Sequence, residues 1–221
     1  MAFSTLDAIR TGALNTELGL TGDSDDRFGT TAQRNFALQD AIRQLWPRMA
    51  RLTRESVTVV EDQLDYALTT VRDVVLLEQY DEDGMFLSNL ANNYRSWWDE
   101  EDATPVVRLH LVAPLDTTTS LKVLGYAPYT VPASSPPSSS GTVDLQNEDE
   151  WIIVAGARAL LYRRLLNQFV VFERHENENR RTSLSADQII AMAEQAERKF
   201  QNALALRPRR IAKVKRATPG R

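Results

Sequence analysis

The chain has no cysteine anywhere in its 221 residues, which excludes disulfides and thiolate chemistry. It has only two histidines, His110 inside a strand pattern and His175 at a predicted helix end. Those settings suit structural or exposed roles better than catalytic ones. No glycine-rich phosphate loop and no nucleophile elbow occurs. No run of eighteen apolar residues is present, so no membrane span is expected. The N-terminus carries Asp7 early and has no basic stretch before an apolar run, so no signal peptide is expected either. These absences fit a protein made in the cytoplasm, with no catalytic residue, metal or cofactor to be expected.

What is present is mostly ordinary for a globular protein, with 43% apolar and 25% charged residues. The charge distribution is not ordinary. Residues 207–221 hold seven Lys or Arg and no acid, which leaves 19 cations against 30 acids in residues 1–206, a net of −11 for the body. Arg207, Arg209, Arg210, Lys213, Lys215 and Arg216 are interleaved with Ile211 and Val214. Such a tail can neutralise phosphates on DNA or RNA, dock on an acidic protein surface, or serve as a solubilising end. The apolar Ile211 and Val214 favour docking.

The acids form two groups. Asp81, Glu82 and Asp83 precede Gly84 and open like a calcium loop, but no glutamate follows at the required spacing, so a solvated turn is the better reading. Asp99, Glu100, Glu101 and Asp102 are either a charged loop or a metal-binding run, and the loop is favoured. Both groups are candidate lumen or subunit-contact acids. Trp97 and Trp98 either stack on a base or sugar or serve packing or a subunit contact, and we favour packing or a subunit contact.

Periodicity places the elements. The strongest signal is a helix over 147–175, where Ile152, Ala155, Ala159, Tyr162, Leu166 and Phe169 recur every three or four residues. Further apolar residues widen that stripe, so the helix should be buried on most sides. Asn147 with Glu150 reads as its capping box. Other helices are expected over 4–20, with Ser4 and Asp7 at its start, from Thr30 or Thr31 until Pro47 interrupts, and from Ser185 to Pro208. Between them, period-two patterns predict strands at 56–60, 66–70, 72–80, 106–112 and 121–126, the last two joined as a hairpin. Residues 87–98 read as a short helix, and the Pro/Ser-rich stretch 128–141 as an exposed connector. The predicted fold is α+β but mainly helical. A four-helix body (1–54 and 142–206) carries a small antiparallel sheet inserted at 55–127, with 207–221 as an extended tail.

Four stretches carry a resemblance: ALQDAIRQLW at 37–46, RLHLVAP at 108–114, TSLKVLGY at 119–126, and VDLQNEDEWIIVAGARALLYRR at 143–164. In their order, across most of 30–206, the chain resembles the head-to-tail adaptor (connector) proteins of tailed bacteriophages. The resemblance implies a structural virion protein of the phage neck, a ring commonly of twelve copies beneath the portal, with double-stranded DNA passing through its lumen. Its implied partners are the portal protein and a head-closure or tail-completion protein, and its C-terminal segment would reach toward the portal. The 128–141 connector has no counterpart in that pattern. A head-closure ring, a DNA-binding protein acting through the tail, and an enzyme with an unrecognised carboxylate site are the alternatives.

Overall fold

The computed structural model describes residues 4–90, 93–99, 106–132, 141–173 and 185–206, apart from the side chains of 98, 99, 106, 147 and 168–173. Among these residues it contains four helices and seven strands in two antiparallel sheets, 41% helical and 26% strand. The fold is therefore α+β in full measure, which corrects the expectation of a mainly helical body with one small sheet. The physical reason is burial. Seven strands have too many apolar side chains for a lone sheet to cover, and a second sheet closes over them. The described chain divides into a helical unit, from residues 4–49 and 129–206, and a strand unit, from residues 50–128.

In the helical unit, α1 runs over Leu6–Glu17, α-helical at Leu6–Ala8 and Asn15–Glu17 and wound as π-turns over Ile9–Leu14. Thr5, rather than Ser4, caps it by accepting the Ala8 N–H at 3.1 Å. Helix α2 spans Thr31–Leu45. Thr30 and Gln33 form a reciprocal capping box, with the Gln33 N–H donating to Thr30 at 3.4 Å and the Thr30 N–H to Gln33 Oε1 at 3.0 Å. The helix stops at Leu45. Trp46 is already extended, as expected of a residue preceding proline.

Helix α3 covers Glu150–Glu173 after a single 3-10 turn, Asn147–Asp149, so Asn147 belongs to that turn instead of capping the α-helix. Ile152, Ile153, Ala155, Ala157, Ala159 and Tyr162 are all buried, which leaves α3 wrapped on most sides. Helix α4 covers Ala186–Leu206, and Ser185 and Gln188 cap it reciprocally. Ile189, Ala193, Ala196, Phe200, Ala203 and Leu204 form its buried face. At Gly156 a Cβ would lie 3.0 Å from both Ala41 of α2 and Phe200 of α4. The absence of a side chain there lets three helices meet.

The strand unit comprises β1 (Arg51–Thr58), β2 (Asp65–Leu68), β3 (Asp73–Tyr80), β4 (Phe86–Asn89), β5 (Tyr94–Asp99), β6 (Val106–Leu111) and β7 (Ser120–Ala127). One sheet has the order β1-β7-β3-β4 and the other β2-β6-β5. Two expectations are corrected here. Residues 87–98 supply β4 and β5 and no helix, because Tyr94 to Asp99 find a full ladder of partners on β6. The strands 106–112 and 121–126 are no hairpin, since β6 pairs with β2 and β5 while β7 pairs with β1 and β3. Their alternating side chains, Leu109 and Leu111 from one sheet and Leu121 and Val123 from the other, share one core with Leu68 and Leu77.

Glu55 staples this unit. Its carboxylate accepts from Thr69 N and Oγ1 at 2.7 and 2.8 Å, from Thr70 N at 3.0 Å and from Val71 N at 2.9 Å. Burial by itself would raise its pKa, but these four bonds outweigh burial and hold it below the ordinary value. A depressed folded-state pKa means that the unfolded chain takes up the proton first as pH falls. The contribution is therefore complete above the unfolded carboxylate range and is lost progressively as pH drops through it. Glu55→Gln is expected to lower stability by about 1–2 kcal/mol at neutral pH. Denaturant titrations of both proteins at neutral pH and at about pH 3.5 should show the gap narrowing in acid. A gap of constant size would remove the carboxylate from the account.

Candidate functional site

The most exposed apolar surface in the strand unit sits on the hairpin joining β3 to β4. The Asp81 N–H donates to Met85 O at 3.0 Å and the Gly84 N–H to Asp81 O at 3.1 Å. Asp81 Oδ1 accepts the Met85 N–H at 2.7 Å and closes the turn, while Gly84 takes φ 77°, a conformation that favours glycine. Glu82 and Asp83 project into solvent. Immediately after them, Met85, Phe86 and Leu87 are 67%, 55% and 49% exposed. Strand β4 is the outer strand of its sheet among the described residues.

The base of this tip is firmly held. The Phe86 ring meets Tyr80 edge-on at 5.8 Å, and Lys122 Nζ lies 3.7 Å from the centroid of the Tyr80 ring. The Tyr80 hydroxyl donates to Glu78 Oε2 at 2.9 Å, and Glu78 lies 3.7 Å from Arg54. That bond to a carboxylate pushes the Tyr80 pKa up. Met85 in the turn and Phe86 and Leu87 on the outer strand thus leave three successive apolar side chains exposed on a braced hairpin.

No protein-family model matches the chain, and no curated protein matches it.

The sequence-predicted site residues scatter. Asp81, Glu82 and Asp83 lie on the hairpin turn. Trp97 is on β5, at the outer edge of the other sheet, 46% exposed, with its ring 6.2 Å from that of His110. His110 is paired across the ladder with Asp65 at 2.8 Å, a structural contact. Trp98 and Asp99 belong to β5, but their side chains lie outside the description. Glu100, Glu101, Asp102, His175 and the tail residues Arg207, Arg209, Arg210, Ile211, Lys213, Val214, Lys215 and Arg216 lie outside the described residues. Sequence reasoning missed Met85, Phe86 and Leu87. Their signal was legible: three consecutive apolar residues directly after a turn cannot all face one core in a strand of period two.

Two other features complete the survey. In the helical unit a shallow groove of about 210 Å³ is lined by Ala13, Glu17, Glu150, Trp151, Arg158 and Lys199, among others. Arg158 is ion-paired with Glu17, and Lys199 lies 5.9 Å from the Trp151 ring, so its charges are mixed and largely spoken for. Among the described residues no group of three His, Cys, Asp or Glu is placed to hold a metal, and no helix is long and apolar enough to cross a membrane.

Proposed function

We propose that this protein is a structural adaptor of a phage neck, a ring-forming subunit beneath the portal through whose lumen double-stranded DNA passes. The observation that carries the reading is the hairpin tip, where exposed Met85, Phe86 and Leu87 adjoin Asp81, Glu82 and Asp83. An apolar surface of this kind suits protein contact. The ordered runs that resemble adaptor proteins supply the type of assembly. The net charge of −11 in residues 1–206 suits a lumen that repels DNA and lets it slide. Head-to-tail contacts of a ring join two different surfaces of each copy. The two different surfaces offered here are an acidic body and a basic C-terminal segment.

The acidic bodies repel one another at low salt, so assembly should need a template. The isolated protein is expected to be monomeric or weakly associated at micromolar concentration, and to form a closed ring only when portal protein is added. Light scattering on each mixture checks this, and a stable closed ring without portal would contradict it. The seven cations of 207–221 also support a second reading, DNA binding through the tail. That reading predicts binding to duplex DNA whose affinity falls steeply with salt. Portal-dependent ring formation with no such DNA affinity would exclude it.

A further inference from the structure

We propose that the tip of the β3–β4 hairpin, from Asp81 to Leu87, is the acceptor for the chain's own basic segment, residues 207–221. The tip presents two chemistries side by side. Glu82 and Asp83 are exposed, and none of the described residues forms an ion pair with Asp81, Glu82 or Asp83. Met85, Phe86 and Leu87 follow them directly in the chain, each with its apolar side chain about half exposed or more. The occupant must therefore bring positive charge and apolar side chains together.

Few candidates meet both conditions. A second copy of the hairpin would set acid against acid, and like charges across a contact are costly. An anionic membrane surface fails for the same reason. Residues 1–206 as a whole carry 30 acids against 19 cations and are the wrong sign overall. The segment 207–221 has seven cations, no acid, and Ile211 and Val214 between them. It begins directly beyond α4, whose last residue, Leu206, is 78% exposed. Arginine forks match carboxylates, and the two aliphatic residues match the patch. Exposed ion pairs alone hold weakly, so the apolar contacts decide whether the segment stays.

The inference rests on the adaptor reading only in expecting the segment to come from a neighbouring copy. Zero-length carbodiimide coupling of the full-length protein assembled in the presence of portal protein tests it, because the reagent joins a lysine amine to a carboxylate in direct contact. Mass spectrometry is expected to find Lys213 or Lys215 joined to Glu82 or Asp83. Replacing Met85, Phe86 and Leu87 together with serine keeps every coupling group and is expected to cut the yield about tenfold. Met85→Ser, at the most exposed position, serves if the triple variant misfolds. High salt, with a screening length of about 3 Å at 1 M, should weaken the link as well.

Mixing isotopically light and heavy protein separates links within a chain from links between chains. An interchain link supports both readings. An intrachain link supports the acceptor and counts against the ring contact. Absence of a link, links to other carboxylates, or a yield unchanged by the serine variants would overturn the proposal. Incorporation into portal complexes without any such link would leave the adaptor reading standing.

Discussion

Truncation after Leu206 is expected to leave the fold intact and to abolish attachment to the portal. Among the described residues, the last one buried in either core is Leu204. Stability should therefore change by no more than about 0.5 kcal/mol, the usual range for surface changes. Attachment should respond far more. Each exposed ion pair of the tail contributes only about 0–1 kcal/mol. A ring, however, offers each tail several copies of the acidic body at high local concentration, and linked contacts multiply affinity by about 10²–10⁴. Loss of the tail removes that factor at once, so recovery of the truncated chain in purified portal complexes should fall about 100-fold. The DNA reading predicts a different result, with normal attachment but impaired retention or ejection of DNA. Full incorporation of the truncated protein would refute docking through this segment.

The second large effect concerns two buried arginines in the helical unit. Arg34 of α2 is fully buried, and its guanidinium donates to Asp25 O at 2.5 Å and to Asp23 O at 2.9 Å. Arg10 of α1 is 3% exposed and makes a two-pronged pair with the Asp23 carboxylate, at 3.1 and 2.7 Å. Its third nitrogen donates to Asn35 Oδ1 at 2.9 Å, and Asn15 Nδ2 adds another bond to Asp23 at 2.9 Å. One carboxylate thus gathers α1, α2 and the loop between them. The hydrogen bond from Arg10, opposed by burial and helped by Asn15, holds the Asp23 pKa below the ordinary value. Burial depresses the pKa of Arg34, whose ordinary value is so high that it stays charged at neutral pH.

Asp23→Ala would leave Arg34 without its nearest carboxylate and Arg10 with Asp7 alone, in a region of low polarity. Breaking a buried pair on one side costs about 3–5 kcal/mol. The Asp23 side chain is 39% exposed, so water recovers part of the loss, and about 3 kcal/mol is expected. Urea denaturation should show a lower midpoint at an unchanged slope. A midpoint equal to that of the parent would mean that the loop holds without its charge centre. Since the folded pKa is depressed, this contribution is present above the unfolded carboxylate range and is lost as pH falls from there through the lower folded pKa.

How far the chain could be read in advance follows the range of the interactions. Capping pairs operate within three residues, and Thr30 with Gln33 and Ser185 with Gln188 form as their spacing indicates. The stripe on α3 and the alternation in β1, β2, β6 and β7 are equally local, because the helical and pleated periods expose their apolar residues to any partner. The turn at Asp81–Gly84 and the opposition of acidic body to basic tail also need nothing beyond composition and order. Strand partnership is another matter. Whether β7 lies beside β6 or across the core from it depends on partner residues 40 to 76 positions away, and both arrangements satisfy the same alternation. The tertiary contacts chose separation into two sheets, and with it strand rather than helix for Phe86–Asn89 and Tyr94–Asp99. They also decided which charges are interior. Arg10 and Arg34 look like solvated cations in a one-dimensional reading, and only the return of the 20–29 loop onto α1 and α2 supplies the carboxylate and carbonyls that make their burial possible. The exposure of Met85, Phe86 and Leu87 has the same origin, since an outer strand has no neighbour on one side to cover it.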